Sequence, residues 1–262
     1  MQSLVRGLTE FLYFGVKEAR ACVFAGSFFV LLFVSHFVTF GLYRYDFLFL
    51  SAVLLQIILL LTKIETWDEF KIIVLFHVLG FSLEVFKTHP AIASWSYPEF
   101  GIFKIFDVPL YSGFMYAAVG SYIAQAWRIF TLRLEHYPPL FVSVGISVLI
   151  YCNFFTHHFV YDARYALMAL VVLAFWKTQV YFTVTNREYR IPIVTSFVLI
   201  AFFIWIAENA GTFLGAWQYP DQLATWTTVS AHKIGSWSLL VIISFILIAE
   251  LKRGTKKKIL GD

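Results

Sequence analysis

Two glutamates stand near the ends of long apolar runs, and each is followed by the same residues in the same order. Glu84, Thr88, Trp95, Tyr97 and Pro98 recur as Glu208, Thr212, Trp217, Tyr219 and Pro220. Two carboxyl groups in apolar surroundings can serve as general acid and general base, because burying one neutral acid beside one ionised acid separates their proton affinities. That chemistry suits protonation or hydration of a carbon–carbon double bond in an isoprenoid, which needs a strong acid and an apolar slot. His77, Glu84 and Thr88 are spaced to share one helical face with Gly80. Trp205, Glu208 and Thr212 form the matching face, with Asn209 beside it. Glu84, Glu208 and His77 are therefore the candidate catalytic residues. Thr88, Trp95, Tyr97, Asn209, Thr212, Trp217 and Tyr219 are the candidate substrate contacts.

A second chemistry rests on histidine. His36, His157 and His232 fall at similar depth and, with a carboxylate, are candidate ligands for zinc, whose bound water would attack a lipid ester or amide. Neither HxxxH nor HExxH supports that set. A third reading has the acids and histidines bind a proton or substrate during transport of an ion or small molecule, although such sites usually lie at the midplane. Each residue also has a plainer role. Glu84 can pair with Lys87, the histidines can bond at the interface, and the Trp-x-Tyr-Pro corners can be turns and interfacial anchors, as in an accessory protein without catalysis.

The elements that must position these groups follow from composition. The chain has 262 residues, 60% of them hydrophobic and 14% charged, with a mean hydropathy of +0.76. A soluble domain carries about 25% charged residues, so this is the composition of a membrane protein. Apolar runs of about 20 residues are what a spanning helix requires. Eight are present, at 21–42, 44–62, 67–87, 109–129, 139–158, 161–181, 191–213 and 231–251. The expected fold is an all-α polytopic transmembrane bundle, a single integral membrane domain over 1–262. Glu10, Lys17, Glu18 and Arg20 break any cleavable apolar core before it. Leu4, Leu8, Phe11, Leu12 and Gly15 share a face, which predicts an interfacial helix leading into the first run. From the helical rise, Glu84, Glu208, His36 and His157 lie roughly 22–27 Å across a core of about 30 Å. Ionisable groups at such depth are costly and mark a functional layer.

Of the 20 lysines and arginines, one set of alternate loops holds all but Arg44, Lys87, Lys104, Arg164 and Lys233. Cytoplasmic loops collect such residues, so both termini are expected inside, at a bacterial inner membrane. Trp67, Trp127 and Trp176 then fall at the inner interface, and Trp95, Trp217 and Trp226 at the outer one. The Lys-rich tail suits an anionic leaflet, so the +4 charge implies no nucleic-acid partner. Cys22 and Cys152 are expected near opposite faces, unpaired. A further echo, Ser35-His36-Phe37 before Tyr45-Asp46 and Thr156-His157-His158-Phe159 before Tyr161-Asp162, extends the repeat. Halves of 1–131 and 132–262, with four runs each, predict a parallel duplication with its site between the copies. Pro109 is expected to open the fourth span at its first helical position.

Several stretches resemble the YoaT-like family of bacterial integral membrane proteins. They are Phe76-His77-Val78-Leu79-Gly80 through Glu84 and Lys87-Thr88, Ser94-Trp95-Ser96-Tyr97-Pro98-Glu99, Val108-Pro109-Leu110, Ser112-Gly113-Phe114-Met115-Tyr116, Asn153 through Phe159, and Ala207-Glu208-Asn209. The resemblance runs nearly the whole length. It implies the membrane class and, as a domain of unknown function, no reaction. Glu84, Trp95, Tyr97, Val108 and Pro109 also follow the order of acids and corners in membrane-embedded carotenoid cyclases and hydratases, which look duplicated as well. The cyclases carry acids directly after the later proline, where this chain has Leu110-Tyr111. The resulting expectation is chemistry on a membrane lipid, isoprenoid or other apolar small molecule at the outer leaflet.

Overall fold

The apolar runs that predict spans do become helices, but of unequal length. The computed structural model describes residues 2–260, and side chains from Val5 to Arg253. Leu4's side chain and those of the tail lysines Lys256, Lys257 and Lys258 lie outside the described residues. The helices are α1 (Gln2–Ala21), α2 (Val23–Val34), α3 (Arg44–Leu61), α4 (Trp67–Thr88), α5 (Ser112–Ile129), α6 (Leu140–Thr156), α7 (Arg164–Phe175), α8 (Ile193–Phe213) and α9 (Lys233–Leu260). Three are long and apolar enough to cross a membrane: α3, α8 and the Lys233–Arg253 part of α9. At 12 residues each, α2 and α7 rise only about 18 Å. In the predicted span 21–42 the helix stops at Val34, and Phe40 and Gly41 take positive φ values of 52° and 80° that no helix accommodates.

The chain is mostly helical but not all-α. A hairpin pairs β1 (Lys104–Ile105) with β2 (Val108–Pro109), turning through Phe106 and Asp107 at φ 50° and 64°. Two consecutive left-handed residues give the turn whose twist matches a two-residue hairpin, and aspartate tolerates that conformation well. Pro109 therefore ends a strand rather than opening a span, and α5 begins at Ser112. A second sheet orders β3 (Arg133–Glu135), β4 (Gln179–Thr183) and β5 (Glu188–Pro192), all antiparallel. β4 lies largely inside the predicted span 161–181. Its Val-Tyr-Phe-Thr run suits a pleated surface, and it has partners on both sides. Hydrophobicity alone does not separate such a strand from the end of a helix.

Helix α1 is amphipathic in an unusual direction. Its exposed face carries Val5, Leu8, Phe11, Leu12 and Val16. Its polar residues turn inward: Glu10 accepts from Thr185 Oγ1, Lys17 donates to the Thr183 carbonyl at 2.8 Å, and Glu18 accepts from the Tyr122 hydroxyl at 3.1 Å. An apolar face left outside is what an interfacial helix presents to acyl chains.

Helices α4 and α5 make the closest helix pair. A capping box starts α4, with Thr66 accepting from the Glu69 amide and the Glu69 carboxylate accepting from the Thr66 amide. The approach uses absent side chains. A Cβ at Gly80 would sit 2.3 Å from the Tyr116 ring, and one at Gly120 2.4 Å from that of Phe76. Gly145 on α6 has nothing within 4 Å. Gly120→Ala should therefore destabilise the protein by about 1–3 kcal/mol through overpacking. Gly145→Ala should leave it unchanged or stabilise it by about 0.5–1 kcal/mol through helix propensity. Melting of the two variants in detergent, followed by tryptophan fluorescence, checks the contrast.

Candidate functional site

Each candidate glutamate is buried near the last turns of its helix, and the chain that follows folds back over it. Glu84 is 2% exposed. Its Oε2 accepts from Trp95 Nε1 and from the Tyr97 hydroxyl, both at 2.7 Å, and its Oε1 accepts from the Tyr116 hydroxyl at 2.8 Å. The fold-back is fastened by the Ser94 amide donating to the Lys87 carbonyl at 2.9 Å. Thr88 Oγ1 donates back to the Glu84 carbonyl at 2.8 Å, within the last turn of α4.

Glu208, 3% exposed, accepts from the Tyr219 hydroxyl on Oε1 and from Trp237 Nε1 on Oε2 at 2.5 Å. Tyr116 and Trp237 hold corresponding places, each the fourth residue after the first of its helix, α5 or α9. The Tyr97 and Tyr219 phenols are pushed well above the usual tyrosine range, first by burial and then by the adjacent carboxylate. Both therefore stay protonated and act as donors.

The two corners meet. The Ser96 amide donates to the Gln218 carbonyl at 2.9 Å and the Gln218 amide to the Ser96 carbonyl at 3.0 Å, an isolated antiparallel bridge. Ser96 and Gln218 are the central residues of the two Trp-x-Tyr motifs. Beside the bridge the Trp95 and Tyr219 rings touch edge to face, 6.1 Å between centroids. The Lys233 ammonium lies 4.2 Å from the centre of the Tyr219 ring and 5.8 Å from that of Trp95. Contacts thus run unbroken from Glu84 through Trp95 and Tyr219 to Glu208.

The remaining candidates are placed around this cluster rather than in it. Trp217 packs over Gly211, where a Cβ would sit 2.7 Å from its ring. Asn209 accepts from the Val229 amide and Thr212 from Trp226 Nε1, so both hold the following loop in place. His77 packs between the Phe81 and Phe114 rings, and its Nδ1 is buried without a partner among the described residues.

The three histidines considered as zinc ligands are not brought together. His36 Nε2 lies 2.8 Å from the Leu214 carbonyl oxygen and 3.1 Å from Arg44 Nη2. The His157 and His158 rings pack together, tilted by 37°, and both reach the Lys87 ammonium, at 3.3 and 2.7 Å. His232 is exposed. Among the described residues no three His, Cys, Asp or Glu side chains gather as a metal site. Lys87 is spent on the histidines, and no Lys87–Glu84 ion pair appears among the described residues. Cys22 and Cys152 are free thiols.

Sequence reasoning missed Tyr116 and Trp237 as partners of the acids. The available signal was a donor-bearing aromatic one turn into the helix after each corner. An open cavity of about 660 Å³, lined by Glu135, His136, Lys177, Gln179, Tyr181 and Arg190, lies on the three-stranded sheet, beyond the end of α5 opposite Tyr116. It is remote from the glutamates.

Residues 10–245 match the family described as "Protein of unknown function (DUF817)". The chain is 48% identical over 250 residues to "Uncharacterized protein YoaT" of Bacillus subtilis (strain 168), covering 95% of this chain and 94% of that protein. No solved structure matches.

Removing one donor from a buried carboxylate leaves the ring in place and isolates the hydrogen bond. Tyr97→Phe and Tyr219→Phe should each lower stability by about 1–3 kcal/mol. Thermal melts in detergent report the loss, and an unchanged midpoint for either would mean that its phenol does not hold the acid.

Proposed function

Because the chain belongs to the DUF817 family of unknown function, its activity has to be argued from its own residues, and we propose that it is a multi-pass inner-membrane protein that protonates an isoprenoid lipid at the outer leaflet. The observation that carries this reading is the joining of two buried carboxyl groups through the Trp95–Tyr219 pair, with an ammonium held on both ring faces. Ring faces that accept Lys233 offer the same negative potential to a carbocation. In the proposed reaction one carboxyl group transfers its proton to a carbon–carbon double bond, whose π electrons form the new C–H bond and leave a tertiary carbocation. The other carboxylate removes a proton from an adjacent carbon to re-form an alkene, or from a water molecule that has captured the cation. Either route returns both acids to one shared proton after exchange with solvent. His77 shares the α4 face with Glu84 and would help to shape the slot; His36 and His157 brace the helix ends.

The eightfold crossing and the four-plus-four duplication belong to the same proposal. Support for duplication comes from the matched order of the two corners, the matched positions of Tyr116 and Trp237, and the bridge between the two central residues. An isologous contact, residue to its own counterpart, is the expected mark of a two-fold axis. Support for crossing comes from the three long apolar helices and from one helix within each of the eight predicted runs. The charge asymmetry favours both termini inside. Cysteines introduced at Ser96 and Lys256 in intact cells should then differ, the first labelled by an impermeant reagent and the second protected. The reverse pattern would invert the topology.

The chemistry is checked by isotope. Membranes carrying the protein, incubated with a mixture of polyprenyl lipids in deuterated water, should yield a lipid gaining one deuterium per turnover. Glu84→Gln and Glu208→Gln keep the carboxamide shape and remove the transferable proton, so both should insert and lose incorporation by at least about a hundredfold. Incorporation unaffected by both substitutions would remove the acid–base reading.

A further inference from the structure

A second buried acid lies at the other end of α5, and the sequence gives it no prominence. Glu65 sits in the short turn between α3 and α4, yet is 2% exposed. Its Oε1 accepts from Ser121 Oγ at 2.5 Å and from Gln125 Nε2 at 3.2 Å, and its Oε2 accepts from Gln56 Nε2 at 2.5 Å. Gln56, Ser121 and Gln125 are themselves 4%, 0% and 1% exposed. All three partners are neutral.

Burial and the neighbouring Glu69 push the Glu65 carboxyl above its ordinary range, and with Glu65 ionised the charge at this site does not balance. Glu69 lies one turn on, wholly buried, and takes the Arg128 guanidinium at 3.0 Å. The rest of that guanidinium bonds the Ile64 carbonyl at 2.7 Å. The Arg128 cation thus serves Glu69, and an ionised Glu65 has no cation on it among the described residues, a costly state for a buried charge. A second deficit stands beside the first. Gln56 Oε1 is buried with no hydrogen-bond partner among the described residues, although a buried amide oxygen ordinarily has one.

We propose that Glu65, Gln56 and Ser121 form a binding site for a monovalent alkali cation at the inner end of α3 and α5. A cation held between the Glu65 carboxylate and Gln56 Oε1, with Ser121 Oγ beside it, meets both deficits at once. The donors are hard oxygens, which suit such an ion. A proton on Glu65 meets only the first. Turning the Gln56 amide to accept that proton would leave its NH₂ group facing the position now held by the orphaned oxygen. The site is independent of the Glu84–Glu208 cluster and stands or falls separately.

Thermal melting of the purified full-length protein in nonionic detergent tests it, in sodium, potassium or choline chloride at equal ionic strength. Sodium or potassium should raise the midpoint saturably, by roughly 5–10 °C at a hundredfold excess over its dissociation constant, and choline should not. Glu65→Gln should abolish the rise. Gln56→Leu, which removes the orphaned oxygen and keeps the volume, should raise the half-maximal concentration about tenfold, and it carries the test if Glu65→Gln does not fold. Equal midpoints in the three salts, or a response that survives in both variants, overturns the proposal. So does stabilisation in choline on acidification without any response to sodium or potassium, which identifies a proton instead.

Discussion

A carboxyl group inside an apolar helical bundle has to be supplied with donors, and much of this structure is arranged around that requirement. Glu84 receives three and Glu208 two, all from tyrosine or tryptophan. Aromatic donors suit the place because their rings add apolar contact while one atom bonds. The requirement explains why the loop after α4 turns back instead of leaving the bundle, since Trp95 and Tyr97 must reach an acid on the helix just completed. It also explains the small residue at Gly80. Tyr116 can reach Glu84 only if α5 lies close against α4, and a side chain at that position would hold the helices apart.

The helix ends around this cluster are held crosswise. Arg44 bonds the Glu99 carboxylate at 2.5 Å and the Leu214 and Gly215 carbonyls at 2.5 and 3.1 Å, so it caps α8 while its own helix is α3. His36 joins it on Leu214. At the matching place Lys87, near the end of α4, is taken by His157 and His158 after α6. Histidine and arginine near a helix C-terminus satisfy carbonyls that would otherwise lack partners. His36, His157 and His158 are thus used as fasteners of helix ends.

Much of this was legible in the residues. The apolar runs located eight helices, and the repeated corner motifs identified Trp95 and Tyr97 on Glu84 and Tyr219 on Glu208, because Trp and Tyr at fixed distances from a buried acid are an unusual pattern. What failed depended on pairing across the chain. Gln179–Thr183 is apolar enough for a span, and only its partners Arg133–Glu135 and Glu188–Pro192 make it a strand. Pro109 looked like a helix start until the turn at Phe106 and Asp107 paired it with Lys104. His36, His157 and His232 share a depth but not a neighbourhood, since depth is one coordinate of three. Lys87 is close to Glu84 in sequence but is turned toward the histidines. Glu65 falls between two apolar runs, and sequence position says nothing of what covers a turn.

The Ser96–Gln218 bridge has a mechanical consequence. Two corners that each shield a carboxyl group are tied back to back by a single reciprocal pair of backbone bonds. Lifting one corner away from its acid drags on the strand that shields the other, so the energy of uncovering is shared between the two. Access to the acids then becomes a concerted event with one barrier. A molecule large enough to displace Trp95 from Glu84 would loosen Tyr219 from Glu208 in the same stroke, and a small one would loosen neither.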